Sequence, residues 1–362
     1  MNYPMRGQTI KGFTLIEFLV ASILAMIVIV AAGSTYFMTR KLSDEAQKRL
    51  TIQQNLRNAT TQIMRDARMA GSFGCYNTSS TIKDKNAPIT NTGLKLVAPE
   101  GNDTEGGVLK LEAVDNAMGV RWGKVGKQDA LIFIYGLGET PVTQTQGLTA
   151  AANNDLQQLT LGVSNDNEKA TDPLRQALAN RGNIVVSSCR TAIALNMGNA
   201  INNDDTLNFN THLQAQPFTL ADAGELAVSQ LYAAAYVHNP ATKQLMRVDI
   251  GSNGRWQSPQ LVAEGINSMS VSYAYADNCP IDSLSTDKGV VAETFTFTKT
   301  LATTAKKNAL PAMVQVYLNY DVDTEATVDP ATNQAKKLTA DYIINATVRG
   351  GNVCGNRTPV PS

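Results

Sequence analysis

The chain has 362 residues, 31 of them basic and 31 acidic, so its formal net charge at pH 7 is zero. This balance gives no sequence-wide reason to expect nucleic acid or an anionic membrane surface as a partner. The length allows one large domain or two smaller ones.

An apolar run near the amino terminus contains one unexpected charge. Glu17 lies inside this run, which reaches Ala32 and is long enough to enter a bilayer, and a short leader with Arg6 and Lys11 precedes it. A charged side chain in hydrocarbon costs at least about 2.5 kcal/mol, so we expect Glu17 to be retained for a partner. If residues 1–12 were removed, the new amine on Phe13 would lie one helical turn from Glu17.

This stretch resembles the processing signal of type IV prepilins. In that family a glycine is followed by an aromatic or apolar residue, and a glutamate stands fifth in the mature chain; Gly12, Phe13 and Glu17 match this pattern. The resemblance implies that a prepilin peptidase cuts between Gly12 and Phe13 and that the Phe13 amine is methylated. It also implies that Glu17 serves subunit assembly, by pairing with the Phe13 amine of a neighbouring subunit.

Two simpler interpretations of the amino terminus stay open. A secretory signal peptide would use Arg6 and Lys11 as its charged region, residues 18–30 as its apolar region and residues 31–33 as its cleavage site. A single-pass anchor would explain only the hydrophobicity. Neither accounts for Glu17, and the helical pattern continues past the supposed cleavage site. Both observations favour the prepilin interpretation.

A nearly continuous helix is predicted over residues 13–70, about 85 Å long at 1.5 Å per residue. Its second half carries an apolar stripe with members mostly three or four residues apart, which we expect to pack on a globular domain. The stripe consists of Leu42, Ala46, Leu50, Leu56, Ala59, Ile63, Ala67 and Ala70. Gly71 and Gly74 are expected to end the helix. The predicted parts of the chain are the leader 1–12, a transmembrane or filament-core half 13–39, an amphipathic half 40–71 and a β-rich head 72–362.

From Ser72 onward helical runs vanish, and β-like segments alternate with polar clusters. The predicted strands are 107–114, 130–135, 156–163, 183–188, 231–238, 244–250, 260–276, 311–320 and 338–349. Alternation is clearest at 269–273 and 314–318, which predicts antiparallel sheet with one solvated face. A hairpin is predicted with its turn at Asn239 and Pro240. The polar tracts predicted as surface loops are 78–99, 142–154, 164–180 and 196–216.

The later segments resemble the PilW family of minor pilins. The resemblance rests on the order of the hairpin, 261–266, 269–273 and 346–350, and on 70–75 at the end of the helix. It implies an α+β, pilin-like fold in which the long helix packs on an antiparallel head. The implied function is that of a structural minor pilin in a priming or tip complex of a type IV pilus, which serves adhesion, twitching motility and DNA uptake.

The resemblance also implies partners and a location. The implied partners are a prepilin peptidase, the major pilin and other minor pilins, the inner-membrane assembly platform and a tip adhesin. The implied location is the inner membrane of a Gram-negative bacterium, with the head in the periplasm, and the pilus on the cell surface after assembly. A J-type minor pseudopilin of a type II secretion system shares this plan and stays open as an alternative.

A membrane-anchored periplasmic enzyme is a third class, and catalysis has little support in the sequence. The two histidines, His212 and His238, lack a nearby cysteine or carboxylate pattern and are interpreted as exposed loop or turn residues. Two acidic groups lack the spacing of an EF-hand and are interpreted as solvated loop acids. These groups are Asp321, Asp323 and Glu325, and Asp166 with Glu168. We therefore expect no cofactor, no metal and no direct binding of nucleic acid.

Four cysteines, Cys75, Cys189, Cys279 and Cys354, lie far apart and form no C-x-x-C pair. This spacing argues against a zinc site and a thioredoxin-like motif. Outside the cytoplasm, an even count favours two disulfides, for which three connectivities exist. We favour Cys75 with Cys189, which ties the end of the helix to the sheet, and Cys279 with Cys354. The alternative is four unpaired buried thiols in a cytoplasmic protein.

Overall fold

The structure is a computed structural model in which part of the chain is described. The described residues are 14–77, 119–125, 128–148, 157–162, 171–189, 192–196, 201–203, 206–208, 218–278, 294–299, 311–322, 327–328, 335–336 and 338–348. The predicted strand 107–114 and the predicted loop 78–99 lie outside these residues. The described part consists of a long amino-terminal helix followed by antiparallel sheets, which is broadly an α+β architecture.

The first helix, α1, runs from Leu15 to Met69 without interruption. Its extent confirms the predicted helix over the residues that the structure describes. The helix ends at Met69, and Gly71 two residues later has a φ of 78°, in the left-handed region that glycine adopts without strain. The Gly71 amide donates to the carbonyl oxygen of Ile134 at 2.8 Å, which ties the end of the helix to the head.

The chain divides into two compact units, Met1–Gln54 and Asn55–Ser362, and the division falls within α1. None of the described residues 14–54 is buried. In the second unit five members of the predicted stripe are buried, namely Leu56, Ala59, Ile63, Ala67 and Ala70. Leu42, Ala46 and Leu50 are exposed instead, so the predicted stripe is too long. Residue spacing defines a helix face, but it does not define where a packing partner for that face begins.

All pairings between the described strands are antiparallel. The strands are β1 (Ser72–Phe73), β2 (Tyr76–Asn77), β3 (Val120–Val125), β4 (Gln128–Gln146), β5 (Gln158–Leu161), β6 (Asn183–Ser187), β7 (Ala192–Asn196), β8 (Ile201–Asn203), β9 (Thr206–Asn208), β10 (Ala227–Asn239), β11 (Gln244–Asp249), β12 (Gln260–Glu264), β13 (Ile266–Asn278), β14 (Thr294–Thr298), β15 (Met313–Asp321), β16 (Thr327–Val328), β17 (Ala335–Lys336) and β18 (Thr339–Thr347).

Among the described strands, the larger sheet has the order β12-β11-β10-β4-β5-β9-β8, with β3 beside β4, and β6 beside β10 and β7. Its central strands β4 and β10 are buried on both faces over residues 130–135 and 233–237. The prediction of one solvated face is therefore wrong for this sheet. These two stretches are continuous apolar runs, a pattern typical of strands covered on both sides.

The smaller sheet has the order β14-β13-β15-β18 among the described strands. Here the predicted alternation is confirmed. Val314, Val316 and Leu318 on β15 are fully buried, whereas the residues between them are partly exposed. The buried face lies toward α1, because the Tyr342 hydroxyl on β18 and Thr60 Oγ1 on α1 are 3.2 Å apart.

The predicted hairpin is confirmed, since β10 and β11 pair from Asn239 and Gln244 onward with a turn between them. The single strand predicted over 260–276 is two strands, β12 and β13, separated by Gly265 with φ 78°. The prediction of loops is wrong in three places. β4 continues to Gln146, β8 and β9 lie within 196–216, and a second helix, α2 (Pro173–Ala179), lies within 164–180.

The start of α2 has a recognisable signal in the sequence. The Asp172 carboxylate accepts a hydrogen bond from the Leu174 amide at 3.0 Å, and Pro173 occupies the first helical turn. The many polar residues around this Asp-Pro pair made the segment resemble a loop. Three buried side chains of α2, Leu174, Ala177 and Leu178, pack into the core instead.

Candidate functional site

The first half of α1 is an apolar segment, residues 15–39, in which Glu17 is the only charged residue. Of the described helices, α1 alone is long and apolar enough to cross a membrane, with a mean hydropathy of 2.8 over its most apolar window. Its large side chains are exposed, Phe18 by 71% and Ile29 by 70%. A helix of this length spans about 37 Å, enough for the roughly 30 Å hydrocarbon core. The segment is therefore consistent with a single-pass membrane anchor.

Glu17 takes part in a capping box with Thr14 at the start of this segment. Glu17 Oε2 accepts hydrogen bonds from the Thr14 amide and the Thr14 hydroxyl, each at 3.0 Å. In return, the Glu17 amide donates to Thr14 Oγ1 at 3.4 Å. This reciprocal arrangement satisfies two donors at the first turn of a helix. Glu17 thus has a local role in starting α1.

The capping box occupies one oxygen of the Glu17 carboxylate. Within the part of the chain that the structure describes, Glu17 Oε1 has no hydrogen-bond donor, and the residue is exposed. This oxygen can accept a bond from a group outside the chain without disturbing the cap. Gly12 and Phe13, the predicted cleavage and methylation sites, lie outside the described residues, so their roles stay predictions.

A second polar centre, the Asp66 anchor, holds the other end of α1 to the larger sheet. Asp66 is fully buried. Its Oδ2 accepts a hydrogen bond from the Tyr236 hydroxyl at 2.7 Å and a charged bond from Arg247 Nε at 3.0 Å. Its Oδ1 accepts a bond from the Tyr135 hydroxyl at 3.1 Å. Arg65 Nε also approaches Oδ1 at 3.4 Å, but this side chain is 62% exposed.

Three adjacent strands supply the partners of Asp66. Tyr135 lies on β4, Tyr236 on β10 and Arg247 on β11, and Tyr236 is the direct cross-strand neighbour of Arg247. Arg247 is fixed in turn by Asp249 Oδ2 at 2.7 Å and by the Tyr232 hydroxyl at 3.3 Å. Because one carboxylate must meet donors from three strands, the anchor determines both the rotation and the axial position of residues 55–69 on the sheet.

The electrostatics of the anchor suit a fixed contact. Burial raises the pKa of the Tyr135 and Tyr236 hydroxyls well above the ordinary value, and the charge of Asp66 adds to both shifts. Burial, with a contribution from Asp249, raises the pKa of Tyr232 to about 12. Burial alone would lower the pKa of Arg247, but neighbouring groups led by Asp66 outweigh it, so this pKa is raised. All four pKa values are therefore shifted further above 7, so these groups are not suited to exchange protons at pH 7.

A disulfide stabilises the region just after α1. The structure joins Cys75 to Cys189, the pairing favoured from the sequence, with their Cα atoms 4.6 Å apart. It links the β1–β2 hairpin to the residues after β6, across a sequence separation of 114. The other two cysteines, Cys279 and Cys354, lie outside the described residues, and their pairing stays a prediction.

The remaining candidate residues have structural partners where they are described. His238 lies in β10, partly buried, and its Nε2 is 2.8 Å from the carbonyl oxygen of Ile266, so the prediction of an exposed turn residue is wrong. Asp321 is also no solvated loop acid. It ends β15, where its carboxylate accepts bonds from Lys243 Nζ at 3.0 Å and Asn267 Nδ2 at 2.6 Å. The other candidate histidine and acidic residues lie outside the described part, namely His212, Asp166, Glu168, Asp323 and Glu325.

Sequence reasoning missed both the capping box and the anchor, although each has a signal. Thr14 and Glu17 show the Thr-x-x-Glu pattern directly before an apolar run. Asp66 follows Ile63 by three residues and precedes Ala70 by four, so it lies on the predicted apolar stripe. An acid on such a stripe is a signal of a buried, paired charge.

No family model matches this chain, and neither a search of curated proteins nor a search of solved structures found a match.

Proposed function

We propose that this chain is a structural minor pilin of a type IV pilus, of the kind that the PilW resemblance implies. It would be made as a precursor in the inner membrane with its head in the periplasm. It would then be assembled with the major pilin and other minor pilins into the priming or tip complex. The observation that carries this proposal is Glu17, the one charge in an exposed apolar segment that begins two residues after Phe13.

The capping box does not by itself explain a charge at this position. A glutamine at the third position of a helix completes a capping box as glutamate does, without the cost of a charge in hydrocarbon. The Oε1 of Glu17 has no hydrogen-bond donor among the described residues, which supports a second role, because it can accept a bond from the Phe13 amine of a neighbouring subunit. Such a pair would offset part of the cost of burying two charges among the packed α1 helices of neighbouring subunits.

The other end of α1 supports a structural role. The Asp66 anchor and the Cys75–Cys189 disulfide hold the end of the helix and the hairpin after it to the head. A subunit held in a filament by the first half of α1 must transmit mechanical load to its head through this region. A buried charged bond with two tyrosine donors resists sliding of the helix better than apolar packing alone, because each donor specifies a position.

The first experiment is to produce the full chain with and without a prepilin peptidase and to measure the mass of the intact product. We expect the peptidase to remove residues 1–12 and the product to carry one methyl group on Phe13. Cleavage near Gly33 would support a secretory signal peptide, and an unprocessed chain would support a plain anchor. Either result would overturn the proposal.

A pair of variants separates assembly from helix capping. Glu17→Gln keeps an acceptor for the capping box and removes the charge, whereas Thr14→Ala removes the threonine hydroxyl and keeps the charge. We expect both variants to be processed, and only Glu17→Gln to be lost from filaments sheared from the cell surface. If Thr14→Ala is lost and Glu17→Gln is retained, Glu17 serves the cap and its proposed role in assembly is wrong.

Deletion of the gene distinguishes a pilus from a secretion system. The proposal predicts loss of surface pili and of twitching motility, with normal export of secreted enzymes. Normal pili together with blocked export would instead identify a J-type pseudopilin.

A further inference from the structure

The outer edge of β18 pairs with no other described strand of the second unit. Among the described strands, β18 is the last in the order of the smaller sheet, and its nine residues make it the longest of the edge strands. At the other end of that sheet β14 has five residues, and the end strands of the larger sheet, β12 and β8, have five and three. A strand edge presents backbone donors and acceptors that bind one class of partner, another extended strand.

The register shows which backbone groups face outward. The Val322 amide donates to the Leu338 carbonyl oxygen at 2.8 Å, and the Val348 amide donates to the Ala312 carbonyl oxygen at 2.9 Å. In an antiparallel sheet, hydrogen-bonded pairs alternate with pairs that are not hydrogen-bonded. The backbone N–H and C=O groups of the even-numbered residues of β18 therefore bond to β15, and those of the odd-numbered residues point away from β15. The outward residues are Thr339, Asp341, Ile343, Asn345 and Thr347, and all five are exposed.

Within the described residues, this edge lacks the sequence and register features that usually prevent strand pairing. β18 contains no proline, lysine or arginine, and its pairing with β15 runs without a bulge. By contrast, the pairings that join β12 and β14 to their sheets each contain a register shift. Asp341 is the only charged residue of β18, and its Oδ1 accepts a bond from Asn319 Nδ2 at 2.7 Å, which holds it on the sheet face.

The order of the outward residues is complementary to itself. If two β18 strands lie antiparallel with Ile343 opposite Ile343, then Asp341 faces Asn345 and Thr339 faces Thr347. Each of these outward residues can exchange two backbone bonds with its partner. No like charges meet, and a carboxylate lies opposite an amide that can donate to it.

We propose that β18 pairs with β18 of a second copy of this chain, in this antiparallel register, so that the two smaller sheets form one continuous sheet. The proposal rests on the edge alone and does not depend on the role in a filament. We assign a second copy of the chain as the partner of this edge because the outward residues of β18 are complementary to themselves in charge and in hydrogen-bonding groups.

Charge placed at the centre of the pairing tests it. Ile343→Lys would set two lysines opposite each other, whereas Phe297→Lys puts the same charge on the same sheet face at the other edge. Both side chains are 50% exposed in the wild type, so the two variants are matched. For the full chain in detergent micelles, sedimentation equilibrium should show dimers that Ile343→Lys weakens by about tenfold or more and Phe297→Lys leaves within about twofold. Equal effects of the two variants, or a wild-type monomer at all concentrations, would overturn the proposal.

A second pair of variants tests the backbone bonds. Asn345→Pro removes an outward amide donor, and Asn345→Ala keeps it, while both lose the side-chain bond from Gln315 Nε2 to Asn345 Oδ1. We expect the dimer to dissociate in the Asn345→Pro variant and to persist in the Asn345→Ala variant. A photo-crosslinking residue at position 343 of the full chain should then give an adduct of twice the chain mass. An adduct of any other mass would show a different partner on this edge and would refute pairing between copies.

Discussion

Replacing Asp66 by alanine should destabilise the second unit by about 3–5 kcal/mol, the usual cost of breaking a buried charged pair by removing one partner. The carboxylate is fully buried and accepts three hydrogen bonds of 2.7 to 3.1 Å, from Tyr236, Arg247 and Tyr135. The variant leaves two hydroxyls without their acceptor in a region that water does not reach. It also removes one of the two carboxylates that neutralise Arg247.

The magnitude follows from these separate losses. A buried hydroxyl left without its partner costs about 1–3 kcal/mol. Arg247 keeps Asp249 Oδ2 at 2.7 Å, so its charge is not left isolated, which limits the total. A loss of this size is a large share of the roughly 5–15 kcal/mol that holds a typical domain together. Asp66→Asn keeps an acceptor for one tyrosine and should fall between the wild type and the alanine variant.

Urea unfolding of the full chain in nonionic micelles measures this effect. Both tryptophans, Trp122 and Trp256, belong to the second unit, so their fluorescence reports its unfolding. Arg65→Ala is the matched control, since it removes a 62% exposed partner of the same carboxylate and should cost less than about 1 kcal/mol. If Asp66→Ala and Arg65→Ala shift the midpoint equally, the anchor does not hold the helix and our reasoning about it is wrong.

Three further predictions concern pH, the disulfide and the end of α1. Burial raises the pKa of Tyr135 and Tyr236, and that of Tyr232 to about 12, so above pH about 10 the folded chain binds more protons than the unfolded one. The free energy of unfolding should therefore fall as pH rises through this range, and Tyr236→Phe should flatten the fall; an unchanged slope would contradict the assigned burial. The disulfide between Cys75 and Cys189 closes a long loop, and replacing both cysteines by serine should lower the free energy of unfolding, measured in urea, by about 2–5 kcal/mol. Because the double variant no longer has this bond, reducing agent should cause no further loss through it. Gly71→Ala places a side chain at a φ of 78° and should lower stability by about 1 kcal/mol, whereas Gly33→Ala, which meets nothing within 4 Å inside the helix, should not lower it.

The local chemistry of the chain predicted much of the fold. The uninterrupted run without proline predicted α1, the alternation at 314–318 predicted the half-solvated sheet, and the Asn-Pro turn predicted the β10–β11 hairpin. These features depend on neighbours within a few residues, so their signals are present in short stretches of sequence. The same reasoning missed α2, where an Asp-Pro start was outweighed by the polar residues around it.

The sequence by itself determined the long helix, its apolar first half with a single acid, and the antiparallel character of the head. Only the tertiary structure decided where α1 begins to be buried, that β4 and β10 are covered on both faces, and that Asp66 meets Arg247 across 181 positions of the chain. The physical reason is the range of the interactions. Helix capping and side-chain alternation act between close neighbours, whereas the burial of a charge is tolerable only when partners from distant strands converge on it.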